Sequence, residues 1–490
     1  MSFREVLRAH GVWVLLLVAA VLPLYATLLV GDEAALGRDF GKLFADHIEQ
    51  QRRAWSDGAL LLWDPSQLGG TSAWGLPNQA PLYPPLMLPV LLRGAVAGLN
   101  ACVVLHVLWG GLGAYALTLA LGGRRPAAWL AGVLFGYAWF TRHLAHILPL
   151  ELVASAWIPW SLALLVRALD GGPWLRPTAL AALAYACVPW VGGFIQFLPG
   201  LLVAGVLVGL GSLRRPLRPR LIRGAAVLGA FLGLVALLSL GKLLPMLHWS
   251  ELTDRAGGIS REFALGGSLA PAEMLEYARN EGLLTWALAA AGVALAVARR
   301  RGGGWVVPVA ASVALLVFVS GRTGYALLYD LVPGFDRVRE PRRVWLVMAA
   351  VLPAAAGLGL SRLREAWPSR LGGRRGPLLA AAALLLAALA ADRLVWSRYE
   401  TPGLTSLSER MTANAIHQEL ARRARLEPGF RVIELACARP RVKQTGELMH
   451  SVFGSPHQLP VAESGQKFSS SDPSGERERG GFCPDGALDS

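Results

Sequence analysis

Asp39 stands near the start of a polar stretch, 37–85, that interrupts a largely apolar chain: GRDFGKLFADHIEQQRRAWSDGALLLWDPSQLGGTSAWGLPNQAPLYPP. A carboxylate in such a place suits one of two tasks. It caps a following helix by accepting free amide protons, or it serves as a general base or metal ligand at a membrane surface. Behind it Phe40, Phe44, Ile48 and Trp55 recur at near-helical spacing, with Leu43 beside them, and Lys42, Asp46, Glu49 and Arg53 fall on the other face. That pattern predicts an amphipathic helix lying flat at the interface.

Three further groups carry polar chemistry. Trp63 and Asp64 lead into Pro65 and Gly69-Gly70, and Asn78-Gln79 follow. Indoles at this height are membrane-interface anchors and Asp-Pro is a turn former; alternatively an indole lies under a sugar ring while amides meet its hydroxyls. His143 and His146 share a helix face near Glu151 and suit a phosphate, a metal or a polar headgroup turn; His248 to Glu251 with Arg255 is similar in kind. Finally Arg337, Arg339, Arg342 and Arg343 crowd around Pro341, and guanidinium forks match phosphate oxygens.

The elements that must position these residues are membrane helices. Of 490 residues, 54% are hydrophobic and 16% charged, and apolar runs of about 20 residues recur. The spans fall at 11–30, 100–121, 127–142, 151–169, 177–191, 194–212, 224–244, 282–298, 304–320, 344–360 and 377–396, roughly eleven in all. The stretch 83–99 is apolar but broken by Pro84, Pro85 and Pro89, and reads as a half-membrane or surface element. The first span is long and lacks a small-residue cleavage site, so it reads as an uncleaved helix.

The net charge of +14 lies in short connections: Arg124-Arg125, Arg167 with Arg176, Arg214 to Arg218, Arg299 to Arg301, and Arg362 to Arg375. That is the positive-inside pattern, not a nucleic-acid surface. The N-terminus is then cytoplasmic and the C-terminus outside. The polar loops, the four arginines included, share the outer face. Lys242 and Asp392 lie near span ends, and span interiors are otherwise almost free of charge, which weighs against an ion-coupled transporter. Cys102 and Cys187 read as packing residues, while Cys437 and Cys483 would pair only in an oxidising compartment. The chain divides into a transmembrane domain (1–396), a small extracytoplasmic segment (397–463) and a disordered tail (464–490). In the middle segment 411–425 has helical spacing and FRVIELA, at 430–436, alternates like a strand.

In order, GRDF (37–40), LWDPSQLGG (62–70), PNQAPLYPP (77–85), HLAHILPLE (143–151), GGFIQF (192–197), LLPMLHWSE (243–251) and LVPGFDRVREPRR (331–343) resemble the YfhO-like bacterial membrane proteins, which resemble the GT-C superfamily of lipid-linked glycosyltransferases. The resemblance spans most of 1–400. It implies an all-α polytopic GT-C-like bundle in the bacterial inner membrane, with interfacial helices in a long first extracytoplasmic loop. The implied activity is inverting transfer of a sugar from a polyprenyl-phosphate donor to a cell-envelope glycan or glycolipid. Asp39 would be the catalytic carboxylate or the ligand of a divalent metal, Mg or Mn. Arg337, Arg339, Arg342 and Arg343 would hold the donor phosphate. Trp63, Asp64, Asn78, Gln79, Tyr83, His143, His146, Glu151, Gln196, Glu251 and Arg255 would line the substrate site. The rival readings are a lipid flippase and a non-catalytic envelope assembly protein.

Overall fold

The computed structural model describes residues 3–30, 33–35, 46–64, 71–214, 216–253, 256–298, 304–338, 341–366, 404–406, 432–434 and 461–463. The chain is an all-α bundle. Its helices are α1 (Phe3–Tyr25), α2 (Asp46–Ser56), α3 (Pro84–Arg93), α4 (Ala95–Ala120), α5 (Arg125–Tyr137), α6 (Trp139–Ile147), α7 (Pro149–Ser155), α8 (Ile158–Leu169), α9 (Leu175–Val191), α10 (Phe194–Ser212), α11 (Leu217–Glu251), α12 (Arg261–Leu265), α13 (Pro271–Asn280), α14 (Leu283–Ala298), α15 (Val306–Ser320), α16 (Arg322–Leu331) and α17 (Trp345–Ala366).

Helices occupy every predicted apolar stretch up to residue 360; the stretch 377–396 lies outside the described residues. Among the described residues six helices or joined helices are long and apolar enough to cross a membrane, and a seventh is made if α13 and α14, bent by 99° at their junction, form one span. This is a multi-pass membrane protein. Its central helices, α4 and α17, are buried along most of their length, while α1 and α11 turn much of their surface to lipid.

Three boundaries differ from the sequence reading. The predicted helix over 127–142 breaks at Ala138, and α6 restarts because the buried Glu281 carboxylate accepts the Phe140 amide at 3.2 Å. A carboxylate at a helix N-terminus satisfies an orphan donor and opposes the dipole. The broken stretch 83–99 becomes α3 plus the first turn of α4, joined at Gly94. Helix α11 runs well past 224–244 at both ends; at 1.5 Å per residue its 35 residues span about 50 Å, more than the ~30 Å hydrocarbon core.

Small residues set the tightest crossing. A Cβ at Gly359 of α17 would fall 1.8 Å from the Leu288 carbonyl oxygen of α14, and one at Gly292 would fall 2.8 Å from Gly359 Cα. Lipid tails give helices no hydrophobic drive to associate, so close backbone approach does that work.

The basic connections gather at one end of the bundle. There Arg214 pairs with Asp170 at 2.8 Å and lies 4.0 Å over the Trp305 ring, Arg223 donates to the carbonyls of Ala168 and Gly172, and the Arg124 amide meets Ser361. The polar loop after α1 lies at the other end. Short strands accompany it: β1 (Glu33–Ala35) pairs antiparallel with β4 (Leu404–Ser406), and β2 (Trp63–Asp64) with β3 (Thr71–Ser72). Of FRVIELA, Val432–Glu434 is a strand, β5, parallel to β6 (Val461–Glu463). The predicted helix 411–425, the tail 464–490, Cys437 and Cys483 lie outside the described residues. Cys102 is buried in α4 and Cys187 half-buried in α9, both unpaired.

Candidate active site

Helix α2 is amphipathic, as its sequence predicts, but its buried face is not wholly apolar. Ile48 and Trp55 are buried with His47 and Gln51 between them. On the opposite face Glu49 bonds Arg52 and Arg53 at 2.7–3.1 Å. The bonds to these guanidinium groups hold the Glu49 carboxyl below its ordinary value, against partial burial.

His47 is the buried surprise. Its Nδ1–H donates to Asp64 Oδ2 at 2.7 Å, and its Nε2 accepts from Gln51 Nε2 at 2.8 Å. Both His47 and Asp64 are fully enclosed. Asp64 therefore does more than form the Asp-Pro turn: it orients an imidazole. Burial holds His47 below the ordinary histidine range, against the pull of Asp64, and the Lys242 charge adds to the lowering.

The sign of the linkage follows. Folded, His47 stays neutral, while the unfolded chain takes up a proton below about pH 6.5. Stability is intact above that pH and declines as pH falls through it. The melting temperature in detergent is expected to drop by about 2–4 °C per pH unit below 6.5. His47→Gln should remove that part of the slope; equal slopes in both proteins would contradict the assignment.

Sequence reasoning passed over His47 because a histidine four residues before a glutamine reads as a polar helix face. It placed Lys242 near the end of the span 224–244; α11 runs on to Glu251, and the side chain is enclosed. Lys242 lies on α11 about 28 Å along the axis from Arg223, one hydrocarbon thickness away. Its Nζ donates to the carbonyls of Trp74 (3.1 Å) and Leu76 (2.8 Å), and it has no exposed surface.

A second buried group joins residues far apart in the chain. Gln196 of α10 donates through Nε2 to the Glu151 carbonyl at 2.9 Å and to Ser155 Oγ at 3.0 Å. The Glu151 side chain of α7 is buried, and the Arg343 guanidinium bears on its charge. Among the described residues Glu151 Oε2 and Gln196 Oε1 have no hydrogen-bond partner. Buried acceptors left open in this way are uncommon and mark a place of interest.

Of the four arginines, Arg337, Arg342 and Arg343 fall among the described residues. Arg337 Nη1 donates to Ser250 Oγ at 2.9 Å, on the end of α11. It borders a cavity of about 430 Å³ that Asp330, paired with Arg261, and Asp336 also line. The Arg342 amide bonds the Gly267 carbonyl at 3.3 Å and its side chain is exposed. Arg343, half-buried, faces Glu151. Arg339, Arg255 and Asp39 lie outside the described residues, as does the side chain of His146.

The remaining predicted residues are spread over the same end. Trp63 is 53% exposed and meets Trp249 edge-on at 5.9 Å. Asn78 packs on Gly192, and Gln79 is buried. The Tyr83 hydroxyl is bonded to His106 Nε2 and accepts from Trp157 Nε1 at 2.8 Å, and the side chain is buried. His143 stacks on Trp139 with centroids 4.8 Å apart. Glu251 is exposed and lies 3.9 Å from His248. Among the described residues no three His, Cys, Asp or Glu side chains gather in a metal-binding group.

Beside this polar end runs an apolar groove of about 1050 Å³, walled by α14, α15 and α17. Ala289, Ala290, Gly292, Ala310, Ala314 and Ala355 keep it open, and Arg322 and Thr323 stand at its polar end.

No family model and no curated protein matches the sequence. Among solved structures, the chain is similar to arabinofuranosyltransferase AftD from Mycobacteria, with a TM-score of 0.56 and 18% identity over 94% of this chain and 32% of that one. It is also similar to ArnT from Cupriavidus metallidurans bound to undecaprenyl phosphate, with a TM-score of 0.51 and 15% identity over 94% of this chain and 87% of that one. The chain spans about a third of the length of AftD. At such identities the likeness is one of fold: the architecture is that of the GT-C polytopic membrane enzymes.

Proposed function

We propose that the protein is an inverting membrane glycosyltransferase of the YfhO-like kind. It takes a sugar from a polyprenyl-phosphate carrier and passes it to an envelope glycan or glycolipid at the polar end of the bundle. That end is extracytoplasmic, since the basic connections collect opposite it. The observation that carries the reading is the groove between α14, α15 and α17. It is apolar along its walls and ends at Arg322 and Thr323 beside the polar end, which suits the seat of a lipid-tethered donor.

In this reading the Asp39 carboxylate removes the proton from the acceptor hydroxyl. The acceptor oxygen bonds the anomeric carbon as the bond from that carbon to the phosphate oxygen breaks. The electron pair stays on the carrier phosphate, where Arg343, with Arg339 and Arg342, stabilises it. Phosphate is already a good leaving group, so the paired carboxylates of a hydrolase are not needed. A divalent metal is not built into this scheme. The ligand proposed for one, Asp39, lies outside the described residues, and among the described residues no three His, Cys, Asp or Glu side chains gather.

The groove supplies the test. Ala314→Trp fills it without touching the polar end. The expected result in proteoliposomes is a KM for long-chain polyprenyl-phosphate sugar raised about tenfold, with a short-chain, soluble donor little affected. Equal KM for both donors in variant and wild type would remove the groove from donor binding. The flippase reading draws on one observation, the enclosed Lys242 and Glu151 within the apolar bundle. Lipid scrambling by vesicles that transfer no sugar would favour it.

A further inference from the structure

Among the described residues Lys242 makes two hydrogen bonds, both to the backbone of the first loop. We propose that Lys242 is a positioning residue for the transfer reaction, whose ammonium sets the course of residues 74–79 and thereby the aromatic and amide wall they offer to a sugar. The inference rests on the transferase reading above.

A lysine near a span end ordinarily extends its stem and sets its charge in water. This one turns inward and is fully enclosed. Enclosing an ammonium is costly unless its charge is answered, and among the described residues no carboxylate lies within ion-pair distance of it. Two main-chain carbonyls answer it instead. An ionisable group in that setting marks function, with its partners naming what it does. The partners here are the carbonyls of Trp74 and Leu76.

What the pinned backbone carries is the second observation. Trp74 meets Trp190 edge-on at 5.8 Å. Gly75 lies flush on Trp249, where an added Cβ would stand 2.5 Å from the indole's own Cβ. Trp249 in turn holds the exposed Trp63. The Lys242 charge also reaches His47, whose Asp64 pairs with Thr71 across β2 and β3. One cation thus fixes both arms of the loop. The bundle itself does not depend on it, so its loss should loosen the wall and leave the spans packed.

Lys242→Met keeps the stem and removes the donors; Lys242→Gln restores neutral donors. Two measurements decide. In full-length protein, amide exchange over 71–80 is expected to speed up about tenfold or more in the Met variant and to recover largely in the Gln variant. In proteoliposomes given polyprenyl-phosphate arabinose, glucose or mannose and an envelope glycan acceptor, the Met variant should raise the acceptor KM about tenfold with kcat within about threefold. Unchanged exchange, unchanged KM, or losses in both variants that merely track the amount of folded protein would each overturn the proposal. A wild type that transfers none of these sugars sinks the transferase reading itself, whereas an active wild type with an indifferent Met variant sinks only the part given to Lys242.

Discussion

Asp39→Asn is expected to lower transfer from polyprenyl-phosphate sugar by about 10²–10⁴-fold, the range a lost general base produces. Asparagine keeps the size of the side chain and its ability to cap a helix. It cannot take a proton from an acceptor hydroxyl. The substitution therefore separates the two tasks open to this residue. A cap reading predicts full activity in a protein of unaltered melting temperature. A base reading predicts a fall in kcat with donor KM nearly unchanged, because a proton acceptor acts in the transition state and not in donor binding. Near-wild-type kcat in well-folded protein would take Asp39 out of the mechanism.

The largest structural effect is expected from Gly359→Val. The first added carbon would stand 1.8 Å from the Leu288 carbonyl oxygen. Neither partner can move aside, since one is main chain of α14 and the other main chain of α17. The helices must part, which forfeits their contacts along the crossing at a cost of about 1–3 kcal/mol or more. Loss of a monodisperse peak in detergent, or a large drop in melting temperature, is the check. Gly229→Val on α11 is the control, because an added Cβ there meets nothing within 4 Å. Comparable behaviour of the two variants would mean that the α14–α17 contact does not hold the bundle.

How much of this was legible beforehand depends on which physical signal a residue leaves. Apolar runs announce spans directly, since a chain crossing hydrocarbon has no other option. The basic connections and the amphipathic face of α2 were equally plain. The break at Ala138 was not, because its cause is Glu281, distant in sequence. The pairing of His47 with Asp64 and the enclosure of Lys242 are tertiary facts of the same sort. Hydropathy also cannot tell a groove from a packed crossing. Ala310 and Ala314 line open space while Gly359 sits in close backbone contact, yet all three read simply as small and apolar. In the arginine segment, crowding in sequence suggested one clamp; that the Arg337 side chain meets Ser250 while Arg343 bears on Glu151 is again a tertiary fact that spacing does not show.

The Tyr83 knot carries a consequence for motion. Its hydroxyl ties the last residue before α3 to His106 on α4 and to Trp157 at the start of α8. A displacement of the loop that reached this point would have to break both bonds or carry α4 and α8 with it, so the knot fastens the start of α3 to the frame of the bundle.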